Sequence, residues 1–284
     1  MKDNNLFIMG LPAAGKTTFL AALWHVLNHG HNISLKSDKL IGDQAYLAEI
    51  SNRWADANAL DRTQRPAEKL NMSLQLKTGN GSKIMLNFPD LSGESFQNQW
   101  IDREISKEHA DIAKKATGAI LFIHPEKIEE ESLISSLDAS LMSYQALGTD
   151  SVESVKKWDY TQSPTQVQLV ELLQFLAHIR TQKHLHIVIV ISAWDLILSG
   201  KKGKVKPEEW TKERLPLLWQ YAKTNKELFD VAYYGISAQG GKLDAADELR
   251  ETDEPCNRVW IVDQEGNNSN DITLPISWIL KNEE

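Results

Sequence analysis

With 284 residues, the chain is long enough for one large α/β domain or two small ones, and it can bury a core without covalent staples. Its formal net charge of −8 argues against a general nucleic-acid binder. A single cysteine, Cys256, excludes an intramolecular disulfide and a cysteine-based zinc site, and fits a reducing, cytoplasmic compartment. No apolar run reaches membrane-spanning length. The longest, "HIVIVISAWDLIL", is interrupted by Ser192 and Asp195.

In chain order, the apolar run Leu6–Met9 predicts a strand, and Lys16–Asn28 and Gly42–Ala57 carry helical patterns. Leu70–Leu76 and Lys83–Phe88 are strand-like and are separated by "TGNGS", a hairpin-type turn, so they form an antiparallel pair at one sheet edge. A helix over Asp102–Lys115 and a strand over Gly118–His124 follow. Residues 126–162 exceed what a connection needs and suggest a helical insertion with a polar linker. "SPTQVQLVELLQFLAHIR" starts a helix over Thr165–Thr181, with Ser163 able to cap and Pro164 suited to the first turn. The strand His186–Ser192, a basic loop "GKKGKVK" (200–206), a helix Pro207–Lys223, a strand Val231–Ser237, an irregular stretch 250–271 and a helix Ile276–Lys281 complete the chain. This alternation predicts a single three-layer α/β domain over 1–284, with a mostly parallel sheet and one antiparallel edge pair.

"GLPAAGKT" (10–17) matches G-x-x-x-x-G-K-[ST]. Successive backbone N–H groups of such a loop wrap a β-phosphate, and the helix that follows turns its positive dipole end to the same group. Gly10, Pro12, Ala13, Ala14 and Gly15 would form the cradle. Lys16 would bridge β- and γ-oxygens, the Thr17 hydroxyl would ligate Mg²⁺, and Thr18 would add a contact near the α-phosphate. Pro12 lacks an N–H, so this cradle has one donor fewer than a loop with glycine there. A strand then ends at Asp90, placed to hold Mg²⁺ directly or through water. Gly93, three residues on, can offer its N–H to a γ-phosphate.

"GLPAAGKTT" and "DLSGE" together resemble the first two phosphate motifs of the translation-factor-related (TRAFAC) class of P-loop GTPases. The resemblance implies a GTPase-like fold, GTP or GDP as the nucleotide and Mg²⁺ as its metal. Ras-like members carry a water-orienting glutamine after D-x-x-G. Glu94 stands there and is, with Lys16, the catalytic candidate; a helix-start or switch-loop glutamate is the alternative. Thr63 in "LDRTQRPAEK" is the candidate switch threonine on the metal. Arg62 or Arg65 beside it could reach transition-state charge.

Two strand-end segments address the base. In "SAWD", Asp195 occupies the position whose carboxylate accepts from guanine N1–H and the 2-amino group. Ser192 and Ala193 depart from the family's asparagine and lysine, and Trp194 could cover the base or face the core. "SAQ" (Ser237, Ala238, Gln239) resembles S-A-K, whose alanine N–H contacts guanine O6. With "GLPAAGKTTFLAALWHVL", these motifs look most like the bacterial double-GTPase (DO-GTPase) family. That resemblance implies a protein partner, a second GTPase or an effector, in bacterial conflict or antiphage systems.

Other readings carry less. His25 and His29, four apart on a helix, have no acidic partner and read as helix packing. Most of the nine tryptophans read as core or partner-facing. Two alternatives to a GTP-hydrolysing switch stay open: a nucleotide-dependent binding module without turnover, and an ATPase in which Asp195 is structural.

Overall fold

The computed structural model describes residues 4–31, 33–60, 72–131, 163–180, 184–198, 205–252 and 254–282. Thr63 with Arg62 and Arg65, residues 132–162 of the expected insertion, and residues 200–204 of the basic loop lie outside the described residues.

Nine strands form one sheet: β1 (Asn4–Met9), β2 (Leu35–Ile41), β3 (Met72–Thr78), β4 (Lys83–Phe88), β5 (Gly118–Ile123), β6 (Leu185–Ser192), β7 (Phe229–Ser237), β8 (Trp260–Val262) and β9 (Asn268–Ser269). Their order is β2-β3-β4-β1-β5-β6-β7-β8-β9. The centre, β4-β1-β5-β6-β7, is parallel. Both edges are antiparallel, not one: β2-β3-β4 at one side and β7-β8-β9 at the other. The expected hairpin is present as β3-β4, but β2 covers it. Its sequence "LKSDKLI" is charged because it is an edge, and Asp38 pairs there with Lys77 and Lys83.

Helices α1 (Lys16–His29), α2 (Gln44–Ala55), α3 (Glu94–Asp102), α4 (Lys107–Lys115), α5 (Thr165–Ile179), α6 (Trp194–Leu198), α7 (Pro207–Arg214), α8 (Pro216–Thr224), α9 (Ala246–Arg250) and α10 (Leu274–Asn282) flank it. Two expected helices differ. The one expected over Asp102–Lys115 starts later, at Lys107, where the Ser106 hydroxyl accepts from His109 N–H; Asp102 instead ends the unexpected α3, which left-handed Arg103 (φ 58°) closes. The stretch over Pro207–Lys223 divides at Leu215. Pro216 disfavours the helical conformation in the residue before it and begins a new helix.

The alternation of β1 distributes the core. Leu6 and Ile8 pack with Phe19, Leu23, Leu47, Trp54 and Ile276 on one face. Phe7 and Met9 pack with Phe96, Leu169, Leu173 and Leu176 on the other. β5 is buried along its whole length, as a central parallel strand covered on both faces must be. The carboxyl ends of β1, β4, β5, β6 and β7 consequently share one rim. That rim carries Gly10, Asp90, His124, Ala193 and Ala238, the place where open α/β sheets bind ligands.

Candidate functional site

β1 delivers the chain to Gly10, and α1 takes it up at Lys16. Glycine is required at both ends of the loop. A Cβ on Gly10 (φ 154°) would lie 2.8 Å from the Phe122 carbonyl oxygen, and one on Gly15 (φ 94°) would lie 2.8 Å from Ser192 Cβ and Oγ. Ala14 N–H closes a turn on the Leu11 carbonyl at 3.2 Å, and Ala13 sits in the left-handed region at φ 59°. The result is a strand, a tight loop and a 14-residue helix whose first turn offers backbone N–H groups to an anion.

Lys16 is 2% exposed. Its ammonium donates to the Gly10 and Leu11 carbonyls at 2.7 and 3.1 Å, using two of its three donors. Burial lowers its pKa to about 8, with Asp90 opposing the shift. Gly93 closes over it: a Cβ there would sit 2.6 Å from Lys16 Nζ and 2.7 Å from the Leu11 oxygen. The β4 end and the phosphate loop are therefore in direct contact. The Thr17 hydroxyl completes this contact by donating to the Leu91 carbonyl at 3.4 Å.

Asp90 is 4% exposed and heavily occupied. Its Oδ1 accepts from Ser92 N–H and hydroxyl at 2.8 and 2.5 Å, and its Oδ2 from Ser95 N–H and hydroxyl at 2.8 and 2.7 Å. Burial raises its pKa, but the Ser92 and Ser95 hydrogen bonds outweigh that, and the net shift is downward. A carboxylate has about four acceptor positions, and the two serines take all four. Glu94 opens α3 on its exposed side, and its N–H donates to the Ser92 hydroxyl at 3.2 Å. His109 Nε2 meets the Pro89 carbonyl at 3.0 Å and braces the segment from behind.

Beside the loop lies a cavity of about 470 Å³. Gly15 and Thr18 line its phosphate end, and Asp195, Ala238 and Gln239 line its far wall. Ala193 adopts φ 45°, a left-handed conformation that costs a non-glycine residue about 1 kcal/mol or more. That turn separates its neighbours. Trp194 goes fully inward, so close to Gly235 that a Cβ there would meet its ring at 2.2 Å, and packs edge-on against Trp210. The tryptophan thus serves the core, not the base. Asp195 turns outward to the cavity, where its Oδ1 accepts from the Ser237 hydroxyl at 2.5 Å. Gln239 Nε2 is buried with no hydrogen-bond partner among the described residues, an unspent donor on the same wall.

Several lining residues have no motif to announce them. His124, at the β5 end, accepts from Glu126 N–H through Nδ1 at 3.2 Å, which puts the proton of the neutral ring on Nε2. Burial lowers its pKa against the opposing influence of Glu126 and Asp195. Asn58, Ala59 and Leu60 form the opposite wall. Arg53 holds the Ala59 carbonyl at 2.6 Å, and Arg250 of α9 holds the Asp56 carbonyl at 2.9 Å and Asn58 Oδ1 at 3.1 Å. The Trp54 indole donates to the Ala238 carbonyl at 3.0 Å, and Arg258, buried, caps the end of α2 through the Trp54 and Ala55 carbonyls. His25 packs against Trp54 with ring centroids 5.1 Å apart. Burial, then His29 and Arg258, lower its pKa to about 4, so it is a neutral packing ring.

A mixed sheet with a parallel centre, a glycine-framed loop of the phosphate-binding pattern at its carboxyl rim, an aspartate just past a strand end beside it and a side cavity define the P-loop, GTPase-like class of α/β proteins. The Double-GTPase 1 family model matches residues 7–279. The chain belongs to the Double-GTPase 1 family. Among solved structures it aligns with a protein described as nucleolar GTP-binding protein 1 of Plasmodium falciparum, at 10% identity over 87% of this chain and 84% of that one, with a TM-score of 0.36. It also aligns with the GTP-bound GTPase-like domain of Ski7 from S. cerevisiae, at 16% identity and a TM-score of 0.38, covering 84% of this chain but 43% of that one. No curated protein matches the sequence. No described helix is long and apolar enough to cross a membrane.

Proposed function

We propose that this chain binds GTP with Mg²⁺ and hydrolyses it to GDP and phosphate as a molecular switch, with 1–284 folding as one domain. The observation that carries the reading is one cavity with Gly15 and Thr18 at one end and Asp195, Ala238 and Gln239 at the other, Asp195 being held by the Ser237 hydroxyl behind it. The loop that adjoins the cavity suits a triphosphate: backbone donors between Gly10 and Thr18, Pro12 excepted, and a buried ammonium on Lys16. The far end of the cavity suits guanine, because a carboxylate accepts from N1–H and the 2-amino group, while the Ala238 N–H and the unpaired Gln239 amide are donors for O6.

The Thr17 hydroxyl and Asp90 carboxylate are hard oxygen donors of the kind Mg²⁺ takes. The Ser92 and Ser95 hydroxyls occupy two of the four acceptor positions of Asp90, so Thr17 would ligate the ion and Asp90 would reach it, directly or through water, once one of those hydroxyls turns away. Thr63 is proposed as a further ligand. When bound, Mg²⁺ neutralises phosphate charge. Lys16 stabilises charge on the β–γ bridge, the Gly93 N–H senses the γ-phosphate, and Glu94 orients or polarises the attacking water.

A second reading is a nucleotide-dependent binding module without turnover. The exposed position of Glu94 at the start of α3 favours it. In either case the nucleotide state would be read by a protein partner, a second GTPase or an effector, within a bacterial conflict system. The deciding experiment is competition binding of GTP against ATP with Mg²⁺, with Lys16→Ala as control, followed by phosphate release from wild type and Glu94→Gln. Preference for GTP with turnover lost in Glu94→Gln supports the switch. Preference for GTP without turnover in wild type supports the module. Equal or better binding of ATP overturns the guanine reading.

A further inference from the structure

At the pole of the sheet opposite the nucleotide cavity, β6 and β7 begin side by side. His186 of β6 is the register partner of Asp230 on β7, and His184, two residues earlier, falls on the same face by the strand period. One carboxylate oxygen serves both rings: Asp230 Oδ2 lies 3.0 Å from His184 Nε2 and 3.5 Å from His186 Nδ1. The three ligand atoms all lie within 4.8 Å of one another. From this geometry we propose that His184, His186 and Asp230 form a binding site for a late first-row divalent metal ion of the zinc class.

Two features support the assignment. Neighbouring ligand atoms around a tetrahedral zinc with bonds of about 2.0–2.1 Å stand about 3.3–3.4 Å apart, and the two His–Asp separations bracket that spacing. His184 Nδ1 faces the Glu227 carbonyl at 3.4 Å, an acceptor that can hold the ring proton on Nδ1 when a metal takes the Nε2 lone pair beside the Asp230 carboxylate; without a metal the 3.0 Å Nε2 contact is an ordinary bond to Asp230. A backbone carbonyl on the second imidazole nitrogen is also the usual orienting partner of a metal-bound histidine.

His186 and Asp230 stand on β6 and β7, and His184 immediately precedes β6. The Leu185 N–H to Leu228 carbonyl bond at 2.9 Å ties the two strand starts together beneath them. Trp278 of α10 lies edge-on to His186 at 6.1 Å and walls the inner side. The outer side is open, with His184 42% and Asp230 56% exposed. Two imidazoles and one carboxylate suit zinc, cobalt or nickel and disfavour Mg²⁺, whose preference is for oxygen. Three protein ligands leave a position for water or for a donor from a partner. The ion would clasp the start of β6 to that of β7.

The test is titration of cobalt(II) into the full chain, freed of metal and nucleotide and held in excess Mg²⁺ to occupy oxygen-donor sites, followed by visible absorption. The proposal expects one saturating equivalent with the bands of a low-coordinate cobalt centre, displaced by zinc(II). His184→Ala and Asp230→Asn should each weaken binding at least about tenfold while leaving the metal-free melting temperature unchanged. X-ray absorption of the zinc adduct should count two imidazole nitrogens. Absence of saturable binding, or binding that survives both substitutions, overturns the site and leaves a His–Asp ion pair. If a substitution alters folding, the imidazole count on wild type decides: fewer than two overturns it.

Discussion

The Trp54 indole N–H donates to the carbonyl of Ala238 at 3.0 Å across 184 residues of sequence. This bond ties the end of α2 to the loop after β7, the two sides of the cavity. The same tryptophan ring lies under the Arg258 guanidinium at 4.8 Å, and Arg258 in turn holds the Trp54 and Ala55 carbonyls. Trp54→Phe keeps most of the packing and removes the donor. It should destabilise the protein by about 1–3 kcal/mol, the cost of stranding a buried acceptor, and weaken nucleotide binding. Denaturant melts paired with nucleotide titration check both. Trp54→Ala should cost about 3–5 kcal/mol through the cavity it leaves.

Glycines at two sites separate function from stability. Gly93→Ala forces a methyl group against Lys16 Nζ and the Leu11 carbonyl at φ 83°. It should cost about 1–3 kcal/mol in backbone strain and also abolish tight nucleotide binding, because the phosphate loop must shift. Gly235→Ala meets the buried Trp194 ring at 2.2 Å instead. It should lower stability by a similar or larger amount. Because Trp194 adjoins Asp195, protein that still folds should lose some discrimination for guanine while keeping the phosphate loop unshifted, so its loss of affinity should be smaller than that of Gly93→Ala in a titration below the melting temperature.

The Asp195–Ser237 hydrogen bond makes a base-recognition experiment sharp. Ser237→Ala removes a donor to a carboxylate and should weaken GTP by roughly 10–100-fold, matching the 1.5–3 kcal/mol typical of such bonds. Asp195→Asn should shift preference from guanine toward xanthine nucleotides. An unchanged GTP affinity in both variants would count against a base-reading role.

Lys16 sets a pH dependence of two signs. Its buried ammonium loses its proton near pH 8 in the folded chain, against 10.5 ordinarily. Phosphate binding should therefore weaken as pH rises through about 8, and Lys16→Arg should flatten that profile if it still binds. Stability moves the other way. Between about pH 8 and 10.5 the unfolded state holds a proton that the folded state has lost, so the Lys16 contribution favours folding more as pH rises. Comparing melts of wild type and Lys16→Met across that window isolates the contribution.

Much of the site was readable in order along the chain because a phosphate loop is a local device. "GLPAAGKT" must follow a strand and open a helix for its N–H groups to converge, and β1 and α1 stand where that requires. The strand ends at Ser192 and Ser237 were legible because buried parallel strands are near-continuous apolar runs with abrupt polar ends, while β4 shows itself by alternation and ends at Phe88, two residues before Asp90. Other features were hidden by their own chemistry. β2 offers no apolar run to mark it because this edge strand carries charge, and the break at Leu215 falls inside otherwise helical periodicity.

Sequence by itself therefore determined the strand–loop–helix unit around residues 10–17, the alternation of strands and helices and most sites where strands end, because each rests on residues within one or two turns of one another. Only tertiary structure decided which residues share the cavity. Asn58, His124 and Gln239 meet there from three distant segments, and Trp194 turns inward while Asp195 turns outward on one strained residue, Ala193. The occupied state of Asp90, whose four acceptor positions go to Ser92 and Ser95, is likewise a matter of packing. Spacing in one dimension specifies local hydrogen bonds. Contacts across a hundred residues or more depend on how the sheet orders its strands, and that order follows from burying both of its faces at once.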